Sequence, residues 1–128
     1  MKTQYAMALT LLAGVAIGAG AVQGLHAQAK PPVYVVTEID ITDLSAYMKD
    51  YAPLAQATIK SAGDTRLAAG QNITVFEGAP PKGRVAINRF DSLEQVKAWR
   101  DSAEYKEARK IGDKYATFRS FAIEGVPQ

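Results

Sequence analysis

The order of elements along this sequence, β-α-β-β-α-β, predicts an α+β fold: a ferredoxin-like sandwich with one antiparallel sheet and helices on one face. Three observations carry the expectation. β-branched and aromatic residues cluster in short runs at Val33–Ile41, Val85–Phe90 and Phe118–Glu124. Two stretches between these runs repeat apolar residues at helical spacing, each behind a capping residue. No internal repeat or low-complexity tract breaks the pattern, so a single domain over 33–125 is expected.

Val33–Ile41 alternates in its second half, with Thr37, Ile39 and Ile41 on one side and Glu38 and Asp40 on the other, as a strand requires. Thr42 or Asp43 can cap the helix that follows, in which Leu44, Tyr47, Met48, Tyr51, Ala55, Thr58 and Ile59 recur on one face. Pro53 lacks an N–H and clashes with the preceding turn, so it should kink this helix or start a second segment. Gly63 supplies a left-handed stop. Thr65–Ala69 reads as a short strand, and Gly70-Gln71-Asn72 as a turn into a further strand at Ile73–Glu77, the two forming a hairpin. Gly78–Gly83 is a loop by composition. After Val85–Phe90, Ser92 with Gln95 three residues on forms a capping box, and Leu93, Val96, Trp99 and Arg100 share a helix face. Ser102 can restart the helix through Tyr105, Ala108, Ile111 and Tyr115, with Gly112 and Thr117 weakening its end.

Helices on one side of a sheet leave the other side bare. Yet both faces of the strands carry apolar residues: Val85 and Ile87 against Ala86 and Phe90, and Ile73 and Val75 against Phe76. Monomers avoid exposing such a patch, and a two-fold dimer with facing sheets, a dimeric α/β barrel, removes it.

Residues 1–29 are a different kind of sequence. Lys2 is followed by an apolar run of about 17 residues, Ala6–Val22, and a small-x-small end at Ala27-Gln28-Ala29. This reads as a signal peptide cleaved after Ala29, with export to a periplasmic or secreted location and only transient membrane contact. An uncleaved anchor is the rival, but the run is at the short end for a span and is diluted by Gly, Ala and Thr10. Lys30-Pro31-Pro32 would be an extended lead-in.

The chain has 128 residues with no Cys and one His, and 15 basic residues face 13 acidic ones. Nothing in that balance suits nucleic acid. Cleavage after Ala29 would remove His26 as well, leaving a domain with neither thiol nor imidazole. Ser-His-Asp and Cys-His nucleophiles and imidazole or thiolate metal sites are then excluded, and no metal or cofactor is expected.

Phe76-Glu77-Gly78, Arg84–Ile87, Arg89–Glu94, and Trp99, Ser102 and Tyr105 resemble the domain-of-unknown-function family numbered 1330. Tyr34-Val35-Val36, Tyr47, Tyr51, Gly63 and Arg66 fall where that family places such residues, and Trp-x-x-Ser-x-x-Tyr is the most specific part. The resemblance spans about 33–125 and implies a dimeric α/β barrel related to cofactor-free monooxygenase-like and EthD-like proteins, without an established activity. Arg100 stands where the family commonly has an aromatic residue.

The candidate ligand-binding residues are Tyr51, Arg66, Glu77, Arg89, Trp99 and Tyr105. Trp99 reads as a helix anchor or as a pocket wall with an N–H donor, and Tyr51 and Tyr105 as seam-filling rings or phenol donors. Arg89 shares strand parity with Val85 and Ile87, so it needs a carboxylate, Glu77 or Glu38, or an anionic ligand. Glu38, Asp40 and the Arg109–Asp113 pair read as solvated or salt-bridged. Two functional readings follow. One is an exported dimer that binds a small apolar or anionic molecule between sheet and helices. The other is a cofactor-free enzyme, monooxygenase- or isomerase-like, acting on a small aromatic or quinone-like substrate.

Overall fold

The computed structural model describes residues 30–127, so the signal-peptide reading of residues 1–29 lies outside the described residues. Four strands, β1 (Val33–Ile41), β2 (Thr65–Gly70), β3 (Arg84–Phe90) and β4 (Ala116–Glu124), form one antiparallel sheet in the order β2-β3-β1-β4. Between β1 and β2 the chain runs through a single turn α1 (Leu44–Ala46), a π-helical turn Tyr47–Tyr51 and helix α2 (Ala52–Ser61). Helices α3 (Leu93–Asp101) and α4 (Ala103–Gly112) connect β3 to β4. This is the ferredoxin-like α+β architecture that the element order predicts.

The helix signals operate as their chemistry requires. Asp43 caps the first turn by accepting from the Ala46 N–H at 3.0 Å. Pro53 has no N–H to donate, and the π-turn just before it absorbs the missing bond: the Ala52 N–H reaches back to the Tyr47 carbonyl, five residues away. At the other end of α2, the Gly63 and Asp64 N–H groups donate to the Lys60 and Ile59 carbonyls, a Schellman closure with Gly63 at φ +74°. Ser92 accepts from the Gln95 N–H, while the Gln95 side chain turns back to the Asp91 N–H.

The predicted hairpin between Thr65–Ala69 and Ile73–Glu77 is not formed. β2 pairs instead with β3, and residues 71–83 are an exposed loop between them. The Ile73–Glu77 segment is β-prone but has no strand beside it among the described residues, and propensity alone does not hold a strand.

Alternation along β1 and β3 separates two faces. Val33, Val35 and Ile39, with Ala86, Asn88 and Phe90, turn to the helices, where Val33, Val35 and Phe90 join Ile59, Val96, Trp99 and Tyr105 in one core cluster. A second cluster gathers Ile39, Tyr47, Tyr51, Ala55, Ala86, Ala108 and Ala116. Gly112 belongs to this seam: a Cβ there would sit 2.6–3.0 Å from three carbons of the Tyr51 ring, so the ring packs on bare backbone. The opposite face carries Tyr34, Val36, Val85, Ile87, Phe121 and Ile123, and among the described residues no helix lies over it.

Trp-x-x-Ser-x-x-Tyr is the joint between α3 and α4. Ser102 ends one helix and starts the next; its hydroxyl donates to the Trp99 carbonyl at 2.7 Å and accepts from the Tyr105 N–H at 3.2 Å. The Trp99 and Tyr105 rings meet at a 52° tilt with centroids 4.4 Å apart, and Trp99 lies 5.4 Å from Phe90 of the sheet. Ser102→Ala removes the cap and one of the two donors to the Trp99 carbonyl, the backbone N–H of residue 102 remaining as the other. Its expected cost is about 1–2 kcal/mol, read from urea unfolding; a loss within error of zero would show that the joint does not depend on this hydroxyl.

Candidate functional site: a donor-lined cavity between sheet and helices

The π-turn places Tyr47 and Tyr51 on the inner side of the helical layer, both nearly fully buried, with ring centroids 5.1 Å apart. Opposite them, β2 and β3 bring Arg66 and Asn88 side by side in register, and the Arg66 Nε–H donates to the Asn88 Oδ1 at 3.2 Å. Trp99 and Tyr105 close the space from α3 and α4. Together these six side chains and their apolar neighbours line a small, partly open cavity of about 40 Å³. That volume is room for two or three waters or a few heavy atoms. It is far below the roughly 300–1,000 Å³ of pockets for drug-sized ligands.

The lining is rich in donors. No carboxylate faces the cavity, and among the described residues Arg66 forms no ion pair. Burial, and then the neighbouring Arg84, pull its pKa down, but a guanidinium stays charged at neutral pH. Burial pushes the Tyr51 phenol well up and raises that of Tyr47 against the pull of nearby arginines. Both phenols therefore remain protonated and can give hydrogen bonds without serving as bases.

The six sequence candidates divide. Tyr51, Arg66, Trp99 and Tyr105 meet at the cavity. Trp99 is at once anchor and wall: its indole N–H donates to the buried Thr58 hydroxyl at 3.1 Å, and Thr58 in turn donates to the Ala55 carbonyl. The Tyr105 hydroxyl is gripped from outside by Arg109 at 2.9 Å and Arg100 at 3.4 Å. Arg100, in the family's aromatic position, thus stacks on an aromatic ring itself. Glu77 and Arg89 do not join them. Glu77 lies in the exposed loop, and Arg89 pairs with Asp91 at 2.9 Å beyond its own strand end rather than with Glu77 or Glu38. The β3 alternation puts Arg89 on the bare face, where a nearby acid at the strand end satisfies it. Glu38 instead takes Arg119 across β1 and β4. Arg109 is not a plain solvated charge: it also lies 3.8 Å over the Phe118 ring.

Sequence reasoning passed over Tyr47 and Asn88 as site residues. Asn88 carried a signal: it shares parity with Ala86 and Phe90, so a polar side chain stands in the core-facing row of β3. Tyr47 was legible as an apolar helix position and as a match to the family pattern, neither of which gave it a role at the site.

Asp64 follows the Gly63 stop, next to Arg66. One of its oxygens accepts from the Thr65 N–H, while Oδ2 is buried without a hydrogen-bond partner. Burial pushes this carboxyl up to about 6, against the pull of the Thr65 N–H, Arg66 and Arg89.

The fold and this cavity define a ferredoxin-like α+β protein with a small cavity between sheet and helices. The chain belongs to the family described as Domain of unknown function (DUF1330), whose model matches residues 32–126. No curated protein matches it in sequence. Among solved structures it is similar to a protein of unknown function from Rhodopseudomonas palustris, at 14% identity and TM-score 0.55 over 83% of this chain and 92% of that one. A dimeric protein of unknown function and ferredoxin-like fold from Bacteroides fragilis matches at 17% identity and TM-score 0.56, covering 73% and 96%. SnoaB, a cofactor-independent oxygenase from Streptomyces nogalater, matches at 11% identity and TM-score 0.57, covering 74% and 93%. At these identities the likeness is one of fold.

The Asp64 carboxyl makes a pH prediction. Folded, it holds its proton up to about pH 6, against an ordinary value of 3.8, so folding binds a proton between the two. Its contribution is fully present below the ordinary value and is lost as pH rises through 6. Asp64→Asn keeps the Thr65 acceptor without the charge. Its melting temperature is expected to exceed that of the natural protein at pH 7.5, with the gap closing towards pH 4. A gap that does not change with pH would show that this carboxyl is not the titrating group.

Proposed function

We propose that the protein is an exported homodimer that binds a small anionic molecule in the cavity between sheet and helices. The observation that carries the binding reading is Arg66, a partly buried cation with no acid paired to it, beside two buried phenol donors. Burying a charge without an opposite one is costly, and an oxyanion supplied from outside removes that cost. A lining of donors with no carboxylate selects for such a ligand and repels a cation. The volume limits it to a few heavy atoms unless the helices move apart.

Self-association is supported by the bare apolar sheet face and by the dimeric neighbour from Bacteroides fragilis. Export is supported by Lys2, the Ala6–Val22 run and the Ala27-Gln28-Ala29 end. The cofactor-free enzyme reading has one favouring observation: the same donors stabilise negative charge developing on a substrate oxygen. The lining supplies no base near neutral pH, so any proton would have to leave by way of the substrate or water. Binding is the primary reading.

Acetate is the probe. Saturable amide shifts at residues 47–51, 66 and 88 are expected on titration of the mature protein, and Arg66→Met should weaken the dissociation constant at least tenfold while leaving the far-UV spectrum unchanged. Equal binding by the two would remove Arg66 from the site. Native mass spectrometry of the exported protein reads the rest: the expected mass is that of two chains each beginning at Lys30, and a chain beginning at Met1 would overturn cleavage.

A further inference from the structure

The segment Ile73–Phe76 is in conflict with its surroundings. Ile-Thr-Val-Phe has the composition and alternation of a strand, yet it lies in the exposed loop that joins β2 to β3. Ile73 is 38% exposed, Val75 44% and Phe76 92%, the highest value among the large hydrophobic residues left in water. The sheet has a gap of the same kind. β4 is nine residues long and pairs with β1 alone, so the N–H and C=O groups of its outer edge have no strand partner among the described residues. The other edge, β2, is six residues long and broken by an irregularity between Arg66 and Ala68. Such irregularities protect edges, and β4 has neither one nor a proline. Phe121, Ala122 and Ile123 on this edge are exposed.

We infer that Ile73–Glu77 of one copy adds as an antiparallel strand to the free edge of β4 in a second copy, and the reverse. The inference rests on the two-fold dimer proposed above and gives it a specific contact. One antiparallel register matches both apolar and charged positions. Val75 opposite Phe121 sets Ile73 opposite Ile123 and Glu77 opposite Arg119, on the bare face of the sheet. Thr74 and Phe76 then stand opposite Ala122 and Ser120 on the other face. The Arg119 side chain is 69% exposed, and its bond to Glu38 uses one guanidinium nitrogen, leaving donors for a second acid. A slip of one residue would put Glu77 opposite Phe118 or Ser120 and reverse every face, so the register is specific. A second copy is the occupant because a single copy leaves its own segment undocked in water. The addition would cover the two large hydrophobic side chains that β4 exposes, Phe121 and Ile123, and shelter the most exposed aromatic of the loop.

The chain has no Cys, so introduced thiols are the only ones present. Thr74→Cys and Ala122→Cys variants are prepared separately, mixed, allowed to exchange subunits and oxidised. A disulfide-linked heterodimer is expected, with under a tenth of that yield when Thr117→Cys replaces Ala122→Cys. Native mass spectrometry of the same samples reads the assembly. A dimer in which Thr74→Cys and Ala122→Cys do not cross-link overturns the strand exchange and leaves the dimer standing; a monomer overturns both. In the double variant at high dilution, a disulfide formed only within one chain would assign the edge to the chain's own segment and overturn the exchange. Thr74→Pro removes one ladder donor from an exposed loop. It is expected to weaken the dimer dissociation constant at least tenfold with an unchanged monomer spectrum, and an unchanged constant overturns the inference.

Discussion

The structure depends on the contact of Trp99 with Thr58, Phe90 and Tyr105. The indole lies within aromatic contact of Phe90 on the sheet, and its one polar atom is satisfied by the buried Thr58 hydroxyl of the facing helix. Ser102 then binds the carbonyl of that same tryptophan and opens the helix that carries Tyr105. A single side chain thus ties sheet, α2, α3 and α4 together. Polar groups in the core are all the more costly when unpaired, and here the chain of donors and acceptors runs from indole to hydroxyl to backbone without a gap. The cavity lies beside this knot, with Trp99 and Tyr105 in its wall.

Most of the fold was legible because its signals are local. Asp43, Pro53, Gly63, Ser92 and Ser102 each act within a turn of their own position, and alternation in β1 and β3 follows from the pleat. The Ile73–Glu77 strand failed for the opposite reason: a strand needs a neighbour that lies elsewhere, and a single sequence does not say whether one is within reach. Arg89 shows the same limit for charges. Its parity grouped it with Val85 and Ile87 and offered Glu77 or Glu38 as its acid, but neither is its partner: Asp91, just past the strand end, is. The cavity was half legible. Tyr51, Arg66, Trp99 and Tyr105 stand out by residue type, whereas Tyr47 and Asn88 acquire meaning only when β2, β3 and the π-turn are superimposed in space.

The proline and the site are linked through backbone geometry. Pro53 cannot donate, so the preceding turn widens and the Ala52 N–H skips back to Tyr47. That widened turn contains Tyr47 and Tyr51 at its two ends, and Gly112 on α4 leaves the space that the Tyr51 ring occupies. A regular helix with a bulkier residue at position 112 could not seat this ring in the same place. The phenol donors are therefore set by two residues without polar side chains, neither of which would be singled out by a search for chemistry.

The absence of thiol and imidazole from residues 30–128 acquires its meaning at this cavity. Among side chains, His is the one whose ordinary pKa permits proton exchange near neutrality. The cavity replaces it with an arginine that does not release its proton and two phenols that burial keeps protonated. Such a lining can hold negative charge but cannot generate it. A ligand that is already an anion in water fits directly. A neutral ligand would have to lose a proton to solvent first and would bind more tightly as pH rises through its own pKa. No carboxylate or imidazole lines the cavity, so that pH dependence belongs to the ligand and to Asp64, whose raised carboxyl titrates beside Arg66 and weakens anion binding once it is charged.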